Sequence, residues 1–250
     1  MSRTRHAAVP IFGRVVLVAS LGGLKAISTF LAGIPAGYPV PIVVVQHRRR
    51  VQEGRDLLAA ILAGRTAVPV RVAEAGAVAD QPGITVVPAQ TTATIDASGR
   101  WELADSVAGV WPGNALLASS AGATPTIAVI FTGSLADGAE GCRAVKRGGG
   151  RVLVQDPATA RASSMPANAI ATGCADFVLA ARSVGDRAAG ADHCARGCRF
   201  ARRPATAVGA AQLIAVSRRR PGRRRRSPGG NFAVHQPPGD LHQWRVRGLR

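Results

Sequence analysis

The chain has 250 residues, 47% of them hydrophobic, enough for one sizeable core with residues to spare. Only 4% are aromatic, so small aliphatic side chains must fill that core. The formal net charge is +18, but residues 183–250 hold 15 arginines and no lysine against three aspartates, a net +12, which leaves +6 for the first 182 residues. The basic excess therefore belongs mainly to the tail. No apolar run reaches the length of a membrane span, and the N-terminus lacks the apolar region and cleavage site of a signal peptide, so the cytoplasm is the expected compartment. Cys142, Cys174, Cys194 and Cys198 do not make a disulfide scaffold in a chain this long. Cys194 and Cys198, beside His193, have no second ligand pair at a usual spacing, so neither a metal nor another cofactor is expected.

Residues 1–13 read as a loose leader. Val15-Val16-Leu17-Val18 then reads as a buried parallel strand, followed by Ala19, Ser20, Leu21 and two glycines, and by helical spacing over residues 24–31. A strand that stops at a serine and turns through glycines into a helix lifts the hydroxyl to the carboxyl edge of the sheet. It also brings it near the free N–H groups of a helix N-terminus. Serine caps helices as well, so this stretch alone decides nothing.

After a Gly/Pro connection at 33–41 comes a second apolar strand, 41–47, that ends in His47. Arginines at 48–50 precede an expected helix at 53–62 and strands at 68–72 and 84–87, the latter ended by Pro88. Residues 92–96 and 100–103 flank Ala97-Ser98-Gly99 and read as a hairpin. An irregular loop at 105–113 leads to a helix at 114–121 and a buried strand at 125–132. A helix at 139–147, a strand at 151–154, a helix opening at Met165-Pro166 and a strand at 176–179 complete the pattern. Strands alternating with helices predict an α/β domain over residues 14–182, a doubly wound, mostly parallel sheet with helices on both faces. Beyond residue 182 the periodicity stops, apart from one short helix candidate at 208–216, and the arginine-rich segment reads as disordered. The arginine runs at 218–226 suit nucleic acid or acidic lipid, but an unstructured tail without a selected partner is the simpler expectation, so nucleic acid is not counted as a partner.

In a doubly wound sheet the residues just past the strand ends converge on one crevice. Ser20, His47 and Asp137 stand at such places. A serine hydroxyl is inert at neutral pH; it needs an imidazole to take its proton and a carboxylate to hold that imidazole in the correct tautomer. Singly, His47 suits a satisfied strand-end histidine and Asp137 a cap on the helix that follows it. Three such residues at strand ends together point to a nucleophile, a base and an orienting acid.

Val18-Ala19-Ser20-Leu21-Gly22-Gly23, Val43-Val44-Val45-Gln46-His47 and Phe131-Thr132-Gly133-Ser134-Leu135-Ala136-Asp137-Gly138 resemble the CheB methylesterase family of bacterial chemotaxis. Gly149-Gly150, Gln155-Asp156, Thr159, Ser164-Met165-Pro166 and Asp176-Phe177-Val178-Leu179 are similar to its later segment, so the resemblance covers about residues 14–180. It implies hydrolysis of γ-glutamyl methyl esters on the cytoplasmic helices of chemoreceptors, and deamidation of glutamines there. Ser20 would be the nucleophile, His47 the base and then acid, and Asp137 the orienting carboxylate. Backbone N–H groups at Leu21 and Ser134 would receive the oxyanion. No phosphoacceptor receiver segment is seen ahead of the domain, so a separate receiver protein, or a methyltransferase, becomes a candidate partner beside the receptors.

The chain departs from the family pattern near these residues. Leu21 replaces the usual threonine after the nucleophile, and the segment after His47 is arginine-rich. Ser134 stands where methionine is usual. Gly109-Val110-Trp111-Pro112-Gly113-Asn114 replaces a charged loop, and Pro88-Ala89-Gln90 keeps the proline of another family loop but not its later histidine. Two alternatives follow: a catalytically weak module of this type that serves in binding or regulation, and an esterase or amidase acting on another substrate. The arginines beside His47 are further expected to disfavour the imidazolium.

Overall fold

The computed structural model describes residues 12–50, 56–122, 125–184 and 188. Most of the leader, the tail with its arginine runs and its helix candidate at 208–216, and His193, Cys194 and Cys198 lie outside the described residues. Seven parallel strands form the sheet: β1 (Arg14–Ala19), β2 (Ile42–Gln46), β3 (Val70–Val72), β4 (Ile84–Val86), β7 (Thr126–Ile130), β8 (Arg151–Gln155) and β9 (Phe177–Leu179). Their order is β3-β4-β2-β1-β7-β8-β9. A separate antiparallel hairpin, β5 (Thr91–Ile95) with β6 (Trp101–Asp105), stands outside this sheet. The expected doubly wound α/β architecture is what the chain adopts.

The alternation of side chains along each strand feeds two cores, one per face. On one face Val15, Leu17 and Ala19 of β1 pack beneath α1 (Gly23–Leu31) and α2 (Leu57–Ala63), with Ile27, Phe30 and Leu62 from the helices. On the other, Val16 and Val18 meet α3 (Pro112–Ser120), α4 (Ala139–Arg147) and α5 (Ser164–Ala171) through Leu116, Leu117, Val145 and Met165. A strand buried on both faces must be apolar throughout, which is why β1 reads as an unbroken run. The first core extends past the strands at each end of the described chain: Phe12, Val184 and Ala188 are buried in it.

From β1 the chain winds outward through β2 to β3 and β4, then returns through the hairpin and α3 to lay β7 on the opposite side of β1. The winding direction therefore reverses at β1, and the crevice past the carboxyl ends of β1 and β7 is the topological switch point.

Candidate active site

Ser20 follows β1 directly. Its N–H donates to the Thr132 carbonyl at 3.0 Å, and its carbonyl accepts from the Gly23 N–H at 2.9 Å to close the turn into α1. Gly22 makes that turn with φ at 83°, a left-handed conformation that costs other residues roughly 1–2 kcal/mol. His47 follows β2, and its N–H donates to the Ala19 carbonyl at 3.0 Å. Ser20 and His47 therefore leave neighbouring strands side by side. The Ser20 hydroxyl has no hydrogen-bond partner among the described residues.

Asp137, in the loop between β7 and α4, is fully buried, and its Oδ2 lies 2.7 Å from His47 Nε2. The same oxygen accepts the Gly113 N–H at 2.8 Å, while Oδ1 accepts the N–H groups of Asn114 and Gly138, each at 2.8 Å. All its partners are N–H donors, so the carboxylate acts as an acceptor throughout. With Nε2–H committed to Asp137, the neutral imidazole keeps Nδ1 as its basic nitrogen.

Gly113 and Asn114 belong to the first turn of α3, whose cap position, Trp111, makes no side-chain cap bond. Asp137 therefore caps α3 across the fold and places its charge at the positive end of that helix. This corrects the expectation that Asp137 caps the helix after it. The cap position of α4 is Gly138, and Asn114 Oδ1 instead accepts the Gly141 N–H at 2.9 Å. The two helices thus cap each other, and the carboxylate facing His47 is part of the clasp.

The wall beyond Ser20 is fixed by a second network. The Thr132 N–H donates to Gln155 Oε1 at 2.9 Å, and its hydroxyl donates to the Leu21 carbonyl at 2.9 Å. Gln155 Nε2 is held in turn by the Thr159 carbonyl at 3.1 Å. In the loop after β7, Ser134 is exposed and Leu135 takes a φ of 69°, its carbonyl accepting from Asn168 Nδ2 at 2.7 Å. The N–H groups of Leu21 and Ser134 donate to no described residue. Asn114, Thr132 and Gln155 were not picked out as site residues by sequence reasoning; Gln155 carried a signal, since it is the last residue of β8, at the sheet edge where Ser20 and His47 follow their strands.

The arginines after His47 differ from expectation. Arg48 is largely buried and pairs with Asp56, which also caps α2 by accepting the Ala59 N–H at 3.1 Å. Its guanidinium further donates to the Val87 carbonyl at 2.9 Å and the Gln46 carbonyl at 3.2 Å. Arg50 pairs with Asp105 at 2.8 Å on the surface. Two of the three charges are thus neutralised by carboxylates, and Arg48 ties the end of β2 to β4 and α2 instead of forming a free cationic field.

Residues 15–188 match the family model described as CheB methylesterase. The chain belongs to the CheB methylesterase family. It is 38% identical over 185 residues to "Protein-glutamate methylesterase/protein-glutamine glutaminase 3" of Anaeromyxobacter dehalogenans, a match covering 71% of this chain and 53% of that protein. It is 33% identical over 182 residues to "Protein-glutamate methylesterase FrzG" of Myxococcus xanthus, covering 70% and 54%. The chain thus spans about half the length of these two curated relatives. The crystal structure of the Thermotoga maritima CheB methylesterase catalytic domain superposes with a TM-score of 0.64 at 30% identity, covering 71% of this chain and 98% of that one. On this CheB scaffold Leu21, Val110 and Trp111 are exposed.

Proposed function

We propose that the chain hydrolyses γ-glutamyl methyl esters, and deamidates glutamines, on the cytoplasmic helices of chemoreceptors, with Ser20, His47 and Asp137 as its triad. The observation that carries the reading is the buried Asp137–His47 contact of 2.7 Å at the switch point, with an uncommitted serine hydroxyl on the neighbouring strand end. The names of the relatives support protein glutamate methyl esters as the substrate class.

In the first step the Ser20 Oγ attacks the ester carbonyl while His47 Nδ1 takes its proton, and Asp137 stabilises the imidazolium through Nε2–H. The tetrahedral oxyanion is received by the N–H groups of Leu21 and Ser134. Collapse expels methoxide, which leaves as methanol with the proton from His47, and Ser20 keeps the glutamyl group as an ester. His47 then deprotonates a water, which attacks that ester; glutamate leaves and the proton returns to Ser20. For a glutamine the first leaving group is ammonia. The domain over residues 14–182 holds this chemistry, no cofactor takes part, and receptor helices set the compartment as the cytoplasm.

The test is methanol release from methylated receptor cytoplasmic fragments. Release by the intact chain that disappears in Ser20→Ala supports the reading, and release that survives Ser20→Ala removes Ser20 from the mechanism. One observation favours a second reading. A cavity of about 280 Å³ beside His47 is lined by Val110, Trp111, Pro112 and Pro88, an apolar surface suited to a bulkier ester. Hydrolysis of an aryl or alkyl ester with no turnover of glutamyl methyl ester would favour that reading.

A further inference from the structure

A cleft of about 790 Å³ opens over the first turns of α1, immediately past the Ser20 turn. Gly22 and Gly23, two and three residues beyond Ser20, form its near edge. Its charged lining residues are all cations: Lys25 on α1, Arg65 just after α2, and Arg161 on the segment before α5. Arg161 lies against the turn itself, since a Cβ added at Gly22 would come within 2.7 Å of the Arg161 Cβ. Arg65 is held over α1 by donating to Ser28 Oγ at 3.0 Å. None of the three has a carboxylate partner among the described residues, whereas Arg48, Arg50 and Lys146 elsewhere each hold one.

Three unpaired cations in one concavity repel one another, and the arrangement is relieved only when anionic groups enter. The cleft also overlies the N-terminal turn of α1, which has no side-chain cap and no acidic residue of its own, so the helix end adds to the positive potential. The cleft shares Gly22 and Gly23 with the Ser20 turn, so it is open to the residues that neighbour an ester presented to Ser20.

We infer that this cleft reads acidic side chains flanking the reacting ester on the substrate polypeptide, with Lys25 and Arg161 as its specificity-determining residues. The inference rests on Ser20 being the reacting group. The cations act on the neighbours of the ester and take no part in bond making, so their contribution falls on substrate affinity and its salt dependence.

The test uses the full chain and two helical peptides of equal length, each with one glutamyl methyl ester, flanked by glutamates in one and glutamines in the other. Fluorescence anisotropy gives the ratio of the two affinities, and methanol release is followed in the same samples. In Lys25→Gln/Arg161→Gln the preference for the acidic peptide falls about tenfold, the scale of two partly exposed ion pairs. In Arg161→Glu it falls further, and added salt erases the difference between the intact chain and the variants. The three cations make no buried contacts, so unchanged thermal midpoints are the control for folding. An acidic preference equal in the intact chain and both variants overturns the inference and assigns the preference to the arginine-rich tail. Methanol release without a cleft-dependent preference overturns the inference while sparing the proposed reaction. A cleft-dependent preference without release does the reverse.

Discussion

Gly113→Ala probes the placement of Asp137 without substituting any member of the proposed triad. A Cβ at residue 113 would lie 2.5 Å from Val18 Cγ1 and 2.8 Å from Asp137 Oδ2. Neither neighbour is free to yield: Val18 is fully buried in the central strand, and both carboxylate oxygens of Asp137 are held by N–H donors. Relief requires a shift approaching 1 Å, either of the start of α3 or of the carboxylate. Overpacking of this kind costs about 1–3 kcal/mol, and a domain of this size loses roughly 2–4 °C of midpoint for each kcal/mol. The same shift loosens the 2.7 Å contact to His47, and misplacement by about 1 Å lowers a rate by about 10²-fold. Ester hydrolysis and thermal midpoint would be measured on the same preparations, with Gly122→Ala as comparator, because no atom of the described residues lies within 4 Å of a Cβ there. A Gly113→Ala protein that keeps full activity, whatever its midpoint, would refute the link between the α3 clasp and the reacting groups.

Asp137→Asn keeps the shape but sets an amide NH2 among N–H donors, so it strands at least one of them and turns His47 towards the wrong tautomer. Activity should fall by about 10⁴-fold and unfolding free energy by about 1–3 kcal/mol; activity within tenfold of the intact chain would count against the orienting role. Burial pushes the Cys142 thiol up to about 12 from an ordinary 9.0, so a maleimide at pH 8 should leave Cys142 unmodified in the native chain and label it once unfolded. Because the folded value is the higher one, the contribution of Cys142 is intact below pH 9.0 and is lost as pH climbs towards 12, with a slope of about 1.4 kcal/mol per pH unit. Denaturant curves that show the same alkaline loss in Cys142→Ala would contradict this.

What the sequence shows of the fold follows from burial on two faces: β1, β2, β7 and β8 read as unbroken apolar runs because each strand is covered by helices on both sides. The positions of Ser20 and His47 were legible for the same reason, since each directly follows the strand that such a run forms. The start of α3 was not. The helix was expected at 114–121 and begins at Pro112, because its cap is Asp137, 25 residues beyond Pro112 in the chain. Local spacing assigns the cap of Asp137 to the helix that follows, whereas the fold sets it on α3. Arg48 read as one of a charged run; only the fold brings Asp56 and the Val87 carbonyl to its guanidinium. Arg161 carried no local signal, because its neighbours Gly22, Lys25 and Arg65 come from distant parts of the chain.

The most direct measurement of the central claim, that Asp137 and His47 activate Ser20, is peptide mapping of the full chain after reaction with a fluorophosphonate. The adduct is predicted on the peptide that carries Ser20, forming about 10²- to 10⁴-fold more slowly in His47→Gln. An adduct on Ser134 or another serine, or labelling of Ser20 that is indifferent to His47, would contradict it.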